Sequence, residues 1–241
     1  MAQLLTDEFA FPENLALFLD FDGTLVGFQD DPELVKLQDE ETASLIAINK
    51  VLNGALAIIS GRDLRDLSKR VPTEFWRLGN HGLYIAPPHE APAERFASFP
   101  DGLDEEVTAA IDHVKDVWLE TKGPIFAVHH RANPHAGSDI ERALTPIIAA
   151  MDDYMLQVGN NVIEIKPRQA NKGSALTQQM HRMPFKGRLP VMIGDDTTDE
   201  DGFLAAQALG GYGIKMGYGE TSARYRIADT RQLYKILGQI K

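Results

Sequence analysis

Short, uninterrupted apolar runs recur along the chain, and each has the length of a β-strand. Continuous apolar strands are typical of parallel sheets, because helices cover both faces of such sheets. The three clearest runs are residues 15–19, 55–59 and 189–193. Shorter candidate strands are residues 82–86, 212–216 and 225–228. The pattern therefore predicts a buried, mainly parallel sheet.

Helical patterns separate these runs. The predicted helices are residues 39–52, 63–70, 171–180 and 199–209. Strands that alternate with helices indicate an α/β fold, here a Rossmann-like parallel sheet.

The middle of the chain has a different pattern and predicts a small α+β unit. Helical stripes cover residues 103–119 and 140–151, and residues 125–130 form a candidate strand. Residues 154–158 and 162–165 flank a Gly-Asn-Asn segment, which is a hairpin signal. A Pro-rich stretch at 87–92 and Lys166-Pro167 border this unit. We therefore predict an inserted domain at 87–165 within a core formed by 1–86 and 166–241, each within the usual size range of domains.

Composition and charge narrow the possible partners. The chain has 241 residues, of which 44% are apolar and 24% charged, as in ordinary soluble proteins. The net charge of −11 argues against nucleic acid or an anionic membrane surface as the main partner. The absence of cysteine excludes disulfides and cysteine-ligated metal sites. We find neither a signal-peptide pattern nor a run near the ~20 apolar residues of a membrane helix, so we expect a cytoplasmic location. The oligomeric state stays open.

Each of the three clearest apolar runs leads into chemically reactive side chains. Asp20 and Asp22 end the first run, Ser60 follows the second, Asp195 follows the third, and Lys172 opens a predicted helix. In open parallel sheets, ligands bind beyond the carboxyl ends of the strands. Asp20 and Asp22 point to the same side if the chain is extended there, and their like charges then need a shared cation. Hard carboxylate oxygens, with a third from Asp195, suggest Mg²⁺.

These residue types suit phosphoryl transfer. One aspartate can attack phosphorus and form an aspartyl phosphate. Its neighbour can protonate the leaving alcohol and later activate water. The hydroxyls of Thr24 and Ser60, together with Lys172, can hold the phosphoryl oxygens, and Lys172 with Mg²⁺ can offset charge in the transition state.

Four segments resemble, in order, the four motifs of the haloacid dehalogenase (HAD) superfamily of phosphatases. They are Asp20-Phe21-Asp22-Gly23-Thr24, Ser60, Lys172 and Gly194-Asp195-Asp196-Thr197-Thr198-Asp199. The resemblance implies a HAD-like core in which Asp20 is the nucleophile. Asp22 is then the general acid/base and lends its backbone carbonyl to Mg²⁺, while Asp20 and Asp195 supply carboxylates.

A second set of segments resembles the trehalose-6-phosphate phosphatase family. They are Gly79-Asn80-His81-Gly82, Glu120-Thr121-Lys122, His129-His130-Arg131, Val162 to Pro167, Asn171-Lys172-Gly173 and Gly194 to Glu200. This resemblance implies that the insert is a cap that closes over a disaccharide phosphate, and that the reaction releases trehalose and phosphate. Lys122, Arg131 and Glu164 are then candidate sugar contacts, and Asn80 and His81 are candidate substrate contacts. The family often has a Tyr where His130 stands.

Several of these residues have simpler interpretations. Ser60 could cap the helix predicted near Arg62. Asp199 could be an N-cap, or it could orient Lys172 or a metal-bound water, and the role of Asp196 is equally open. His129 and His130 suggest a transition-metal site only weakly, because adjacent residues of a strand point to opposite faces.

The function also has alternatives. The same core could serve another sugar-phosphate phosphatase or a phosphomutase, and a protein of another class could be a non-catalytic sugar-phosphate sensor. A sensor is expected to lack Asp20 or Asp22, and both are present.

Overall fold

A computed structural model describes residues 2–6, 9–27, 35–94 and 96–240. The chain forms two compact units, Met1–Pro92 with Asn171–Lys241, and Ala93–Ala170. These borders lie a few residues beyond the predicted ones, 86/87 and 165/166. The last strand of the inserted unit runs on to Pro167. Each unit has its own hydrophobic core.

The strands and helices of the described residues are numbered in chain order. The strands are β1 (Gln3–Leu4), β2 (Leu15–Asp20), β3 (Leu56–Ile59), β4 (Trp76–Gly79), β5 (Tyr84–Ala86), β6 (Trp118–Lys122), β7 (Ile125–His129), β8 (Tyr154–Gly159), β9 (Val162–Pro167), β10 (Leu189–Gly194), β11 (Tyr212–Met216) and β12 (Tyr225–Ile227). The helices are α1 (Asp39–Val51), α2 (Leu64–Arg70), α3 (Leu103–Ile111), α4 (Gly137–Ala149), α5 (Lys172–Gln179), α6 (Thr197–Ala208) and α7 (Thr230–Leu237).

The first unit, the core unit, is built on an eight-stranded sheet with the order β1-β12-β11-β10-β2-β3-β4-β5. All of its neighbours pair in parallel except β4 and β5, which are antiparallel. Strand β2 lies at the centre, and all six of its residues are buried. An apolar strand in that position buries both faces, which is why its sequence does not alternate.

Local sequence signals fix several helix ends of the core unit. Helix α1 begins with a capping box in which the Gln38 amide donates to the Glu41 carboxylate at 2.8 Å. The Asp63 side chain caps α2 by accepting a hydrogen bond from the Arg65 amide at 2.8 Å. The interpretation of Ser60 as the cap of this helix is therefore wrong, because Asp63 precedes the first helical residue and supplies the cap.

The second unit, the inserted unit, has a four-stranded antiparallel sheet with the order β6-β7-β9-β8. Apolar residues of α3 and α4 pack with Phe126, Val128, Ile163 and Ile165 in one cluster. The prediction of one helix over 103–119 is wrong beyond Ile111. Asp116 adopts a φ of +59°, which interrupts a helix, and Trp118 begins a strand paired with β7.

These two units confirm the predicted fold class, a parallel α/β core with a smaller inserted α+β unit. Among the described residues, no helix has both the length and the apolar character needed to cross a membrane.

Candidate active site

Three neighbouring strands bring the predicted catalytic residues to one edge of the core sheet. Strands β10, β2 and β3 are parallel and in register, with Ile193 beside Leu19 and Leu19 beside Ile58. Asp20 is the last residue of β2, Ser60 follows β3 directly, and Asp195 follows β10 directly. The carboxyl end of a parallel sheet is the usual ligand site of this fold class.

A cluster of two buried carboxylates and one half-buried carboxylate lies at this edge. Carboxylate oxygens of Asp20, Asp195 and Asp199 all lie within 4.8 Å of one another. The Lys172 ammonium donates to Oδ1 of Asp20 at 2.6 Å and to Oδ1 of Asp199 at 2.7 Å. The side chain of Lys172 is 3% exposed, and that of Asp199 is fully buried. Lys172 is the first residue of α5 and follows the Asn171 cap. Two negatively charged carboxylates therefore hold its ammonium group.

The carboxylates of the cluster perturb one another. Burial raises the pKa of Asp20 well above its usual value, and Asp199 and Asp195 raise it further, whereas Lys172 opposes this change. Burial and the Asp199 charge raise the pKa of Asp195 to about 6. Burial alone would lower the pKa of Lys172, but Asp199 and Asp20 outweigh it and raise that pKa above its usual value. The cluster is thus short of positive charge.

The residues present fit a divalent cation. Three carboxylates face one ammonium, so the ionised cluster carries two excess negative charges. A hard divalent cation balances this excess, and oxygen ligands of this kind suit Mg²⁺. Among the described residues, Asp20, Asp195 and Asp199 form the single group of at least three potential metal ligands. His129 and His130 therefore belong to no such group.

The Asp22 side chain lies outside this cluster and is paired with Arg62. The Arg62 guanidinium donates from Nε to Oδ2 and from Nη2 to Oδ1 of Asp22, both at 2.7 Å. Its third nitrogen, Nη1, donates to Asp66 at 2.8 Å. A two-pronged contact of this kind fixes both the position and the plane of the carboxylate.

Residues 21–26, the catalytic turn, connect Asp22 to the carboxylate cluster. The Thr24 hydroxyl donates to Oδ1 of Asp195 at 3.0 Å. Gly23 has a φ of +81°, and a Cβ at this position would lie 2.4 Å from Oδ2 of Asp195. Only glycine allows both this backbone conformation and this close approach of the carboxylate.

Asp199 has two functions in the structure, and this answers the question that the sequence leaves open. Asp196 is the N-cap of α6, and Asp199 completes its capping box. Oδ2 of Asp199 accepts the amides of Asp195 and Asp196, both at 3.0 Å, while Oδ1 accepts Lys172. The interpretation of Asp199 as the N-cap is therefore wrong, and Asp199 holds Lys172 together with Asp20. The buried ammonium of Lys215 also donates to the backbone carbonyl of Asp195.

The segment that contains Asn80 and His81 is packed against the end of β3. Both residues are buried and have positive φ, +52° and +56°. The Asn80 amide donates to the Arg62 carbonyl at 2.7 Å, and the His81 amide donates to the Ser60 carbonyl at 2.9 Å. The Ser60 hydroxyl accepts the Arg62 amide at 3.1 Å. Backbone conformations of this kind in non-glycine residues concentrate at functional sites.

One face of the inserted sheet carries most of the candidate sugar contacts. Glu120, Ala127 and Glu164 are paired across β6, β7 and β9, and Gln157 of β8 follows in the same row. Lys122, two residues from Glu120, shares this face. Glu164 is buried, whereas Arg131 lies beyond the end of β7 and is exposed.

A small polar network stands beside this row. The Glu120 carboxylate lies 2.8 Å from Nε2 of His129 and 3.3 Å from Nζ of Lys122. The His129 ring stacks on Trp118 with ring centroids 3.9 Å apart. The buried ring of His130 instead lies against Gly137 of α4. The two histidines thus have separate surroundings.

Sequence reasoning missed Arg62 as the partner of Asp22 and Asp199 as a member of the carboxylate cluster. Arg62 follows Ser60 by two residues, but the sequence holds no sign of a contact with a residue 40 positions earlier. For Asp199, the signal was its place in the fourth motif, which made an orienting role one of the options.

Comparisons with known proteins match one family. The model of a family described as trehalose-phosphatase matches residues 18–233. The trehalose-6-phosphate phosphatase of Escherichia coli (strain K12) is 33% identical over 253 aligned residues, which cover 100% of this chain and 91% of that protein. The probable trehalose-phosphate phosphatase of Sinorhizobium fredii is 38% identical, over 85% of this chain and 78% of the relative.

Solved structures share the fold. The C-terminal domain of Candida albicans trehalose-6-phosphate phosphatase has a TM-score of 0.79 at 21% identity, covering 95% of this chain and 92% of that one. A haloacid dehalogenase-like hydrolase from B. subtilis has a TM-score of 0.60 at 14% identity. At identities this low, the similarity to these structures shows the fold alone.

Proposed function

The chain belongs to the trehalose-phosphatase family, and from this premise we propose that it hydrolyses trehalose 6-phosphate to trehalose and phosphate, with Mg²⁺ as cofactor and an aspartyl phosphate as intermediate. The observation that carries the proposal is the largely buried cluster of Asp20, Lys172, Asp199 and Asp195 at the carboxyl edge of the sheet.

Asp20 is the nucleophile. Its carboxylate attacks phosphorus, a new O–P bond forms, and the bond from phosphorus to the sugar oxygen breaks. The raised pKa of Asp20 works against this role, because the attacking group must be ionised. Lys172 supports the ionised form at 2.6 Å. Mg²⁺ held by Asp20, Asp195 and the backbone carbonyl of Asp22 would supply the missing positive charge and stabilise the phosphoryl oxygens.

Asp22 transfers the protons. In the first step it gives a proton to the leaving sugar oxygen. In the second step its carboxylate accepts a proton from water as that water attacks the phosphorus of the aspartyl phosphate, which releases phosphate and restores Asp20. Arg62 holds the plane of the Asp22 carboxylate at one edge of the catalytic turn, which orients it as the base of the second step.

Ser60 and Lys172 hold the phosphoryl group. Thr24, which the sequence assigns to the same task, donates its single hydroxyl proton to Asp195 and so orients that carboxylate instead. Asn80 and His81 belong to the substrate site through their packing on the Ser60 segment. The sugar is recognised by Glu164, Lys122 and Arg131 of the inserted unit. Their arrangement supports this assignment, because Glu164 and Lys122 share one face of the inserted sheet.

The experiment that tests the function is phosphate release from a panel of sugar phosphates, with Mg²⁺ and with a chelator. Trehalose 6-phosphate should be the preferred substrate, and activity should vanish with the chelator and return with Mg²⁺. Full activity in a metal-free sample would exclude the mechanism, and preference for another sugar phosphate would exclude the substrate.

The covalent step is tested by rapid-quench trapping with substrate labelled in the phosphoryl group. Label should appear on Asp20 in the parent protein. Asp20→Asn should give no turnover, because an amide is not a nucleophile here. Asp22→Asn should slow turnover most for poor leaving groups such as a sugar alkoxide, and least for an activated aryl phosphate. A labelled intermediate on any other residue would refute the assignment.

A further inference from the structure

Helix α7, which no catalytic motif includes, bonds to the backbone of the catalytic turn. The Thr230 hydroxyl donates to the Thr24 carbonyl, and the Tyr234 hydroxyl donates to the Leu25 carbonyl, both at 3.2 Å. Thr230 and Tyr234 are four residues apart, so they lie on the same face of the helix. Two consecutive peptide carbonyls of the turn are thus held from one side by residues more than 200 positions away in the sequence.

The helix itself is firmly anchored in the core unit. Leu233, Ile236 and Leu237 are completely buried. The Asp229 carboxylate caps the helix by accepting the Gln232 amide at 2.8 Å. The Gln232 side chain donates to the Leu5 carbonyl at 2.9 Å. The hydroxyl donors on α7 therefore give the catalytic turn a fixed point of attachment.

Thr24 connects this fixed point to the carboxylate cluster. Its carbonyl accepts from Thr230, and its hydroxyl donates to Asp195. Fixing the peptide planes on both sides of Leu25 limits the backbone rotation that would turn the Thr24 hydroxyl away. Thr24 is completely buried, so it has little room for another orientation.

We propose that Thr230 and Tyr234 are positioning residues, which fix the Thr24 hydroxyl against Asp195 and so hold this carboxylate ready for the cation. The inference rests on the proposed function only for the identity of that cation. The contacts with the catalytic turn do not depend on the substrate. The two hydroxyls act through Thr24 and touch neither phosphate nor sugar.

The experiment compares the full-length double variant Thr230→Val/Tyr234→Phe with the parent protein. Both substitutions remove a hydroxyl and keep the shape of the side chain. Tyr212→Phe is the matched control, because among the described residues the buried Tyr212 hydroxyl has no hydrogen-bond partner. Amide hydrogen exchange of the metal-free proteins is measured by NMR, and Mg²⁺ binding is measured by calorimetry.

The reporters are two amides within the turn. Gly23 donates to the Val26 carbonyl at 2.8 Å, and Val26 donates to the Phe21 carbonyl at 3.1 Å. In the double variant we expect exchange at these amides to be about tenfold faster, with β2 unchanged, and Mg²⁺ binding to be about three- to tenfold weaker, the range set by ordinary hydrogen bonds. The control should match the parent protein in both measurements.

Two results would overturn the inference. In one, the turn amides and Mg²⁺ binding are unchanged in the double variant. In the other, exchange accelerates equally in the turn and throughout β2, which means that α7 contributes only to global stability. The exchange experiment needs neither metal nor substrate, so it stands even if trehalose 6-phosphate is not hydrolysed.

As a second check, Thr24→Val is combined with the α7 substitutions. If α7 acts through Thr24, the double substitution should cause no further loss of Mg²⁺ affinity in this background. Full additivity of the two losses would contradict the proposed route.

Discussion

The stability of the metal-free protein should depend on pH through Asp195. The pKa of this carboxyl is about 6 in the folded protein, against an ordinary value of 3.8. A pKa that is higher in the folded state means that folding favours the protonated form. The contribution of Asp195 to stability is therefore fully present below about pH 4 and is lost as the pH rises through about 6.

The size of this loss follows from the difference between the two pKa values. A shift of about two units corresponds to about 3 kcal/mol in the free energy of unfolding. The physical cause is that burial and the Asp199 charge both disfavour the ionised carboxyl. Asp195→Asn removes the titrating group while its amide oxygen can still accept the Thr24 hydroxyl.

The assay is urea unfolding of the parent protein and of Asp195→Asn at several pH values between 5 and 8, in the presence of a chelator. The parent should lose stability relative to the variant as the pH rises. Groups that do not interact with Asp195 cancel in the difference, whereas Asp20 adds to it in the same direction, because the Asp195 charge raises the pKa of Asp20. Saturating Mg²⁺ should restore the parent at high pH, because an ion that binds only the folded state stabilises it, and it should help the variant much less. A difference that stays constant across this range would refute the electrostatic account of the cluster.

Two further pairs of substitutions test the turn and the inserted unit. Gly23→Ala should weaken Mg²⁺ binding by at least about tenfold, because its Cβ would meet the Asp195 carboxylate. The control is Gly217→Ala, which is also at positive φ but has open space around the Cβ. It should lower the free energy of unfolding by only ~1–2 kcal/mol, through backbone strain. Calorimetry and thermal unfolding distinguish the two glycines, and equal effects on metal binding would contradict the contact. Glu164→Ala and Lys122→Ala should each lower kcat/KM for trehalose 6-phosphate by roughly ten- to a thousand-fold and leave a small aryl phosphate almost unaffected. Steady-state kinetics with both substrates is the measurement, and equal losses would mean that these residues support folding or the phosphate site.

Local signals in the sequence are sufficient for much of the core unit. Strands β2, β3 and β10 are continuous apolar runs, and such runs are recognisable because a strand covered on both faces has no polar positions. The positions of Asp20 and Asp195 follow from the ends of β2 and β10, since parallel strands bring their carboxyl ends to one edge. Lys172 follows from its place at the start of a predicted helix. The bounds of β11 agree with the prediction at both ends.

Other elements cannot be predicted from the local sequence, because contacts with distant residues stabilise them. Strand β4 contains Arg77, whose charge breaks the apolar pattern; in the structure the guanidinium donates to the carbonyls of Pro87 and Glu90. Strand β6 continues the helical stripe of α3 in sequence, but its backbone pairs with β7. The periodicity of a short segment cannot indicate whether a neighbouring strand will be available for pairing.

Within the site, too, the local sequence predicts some features, whereas others depend on contacts between distant residues. The residue types and their order are local properties, so the sequence alone predicts phosphoryl-transfer chemistry at Asp20 and Asp22. The contacts of Arg62 with Asp22, of Lys172 with Asp199, and of α7 with the catalytic turn join positions 40, 27 and more than 200 residues apart. No spacing encodes such contacts. Only the packing of the sheet and its helices brings these groups within hydrogen-bond distance, and this packing sets the charge balance and the orientation of the groups that react.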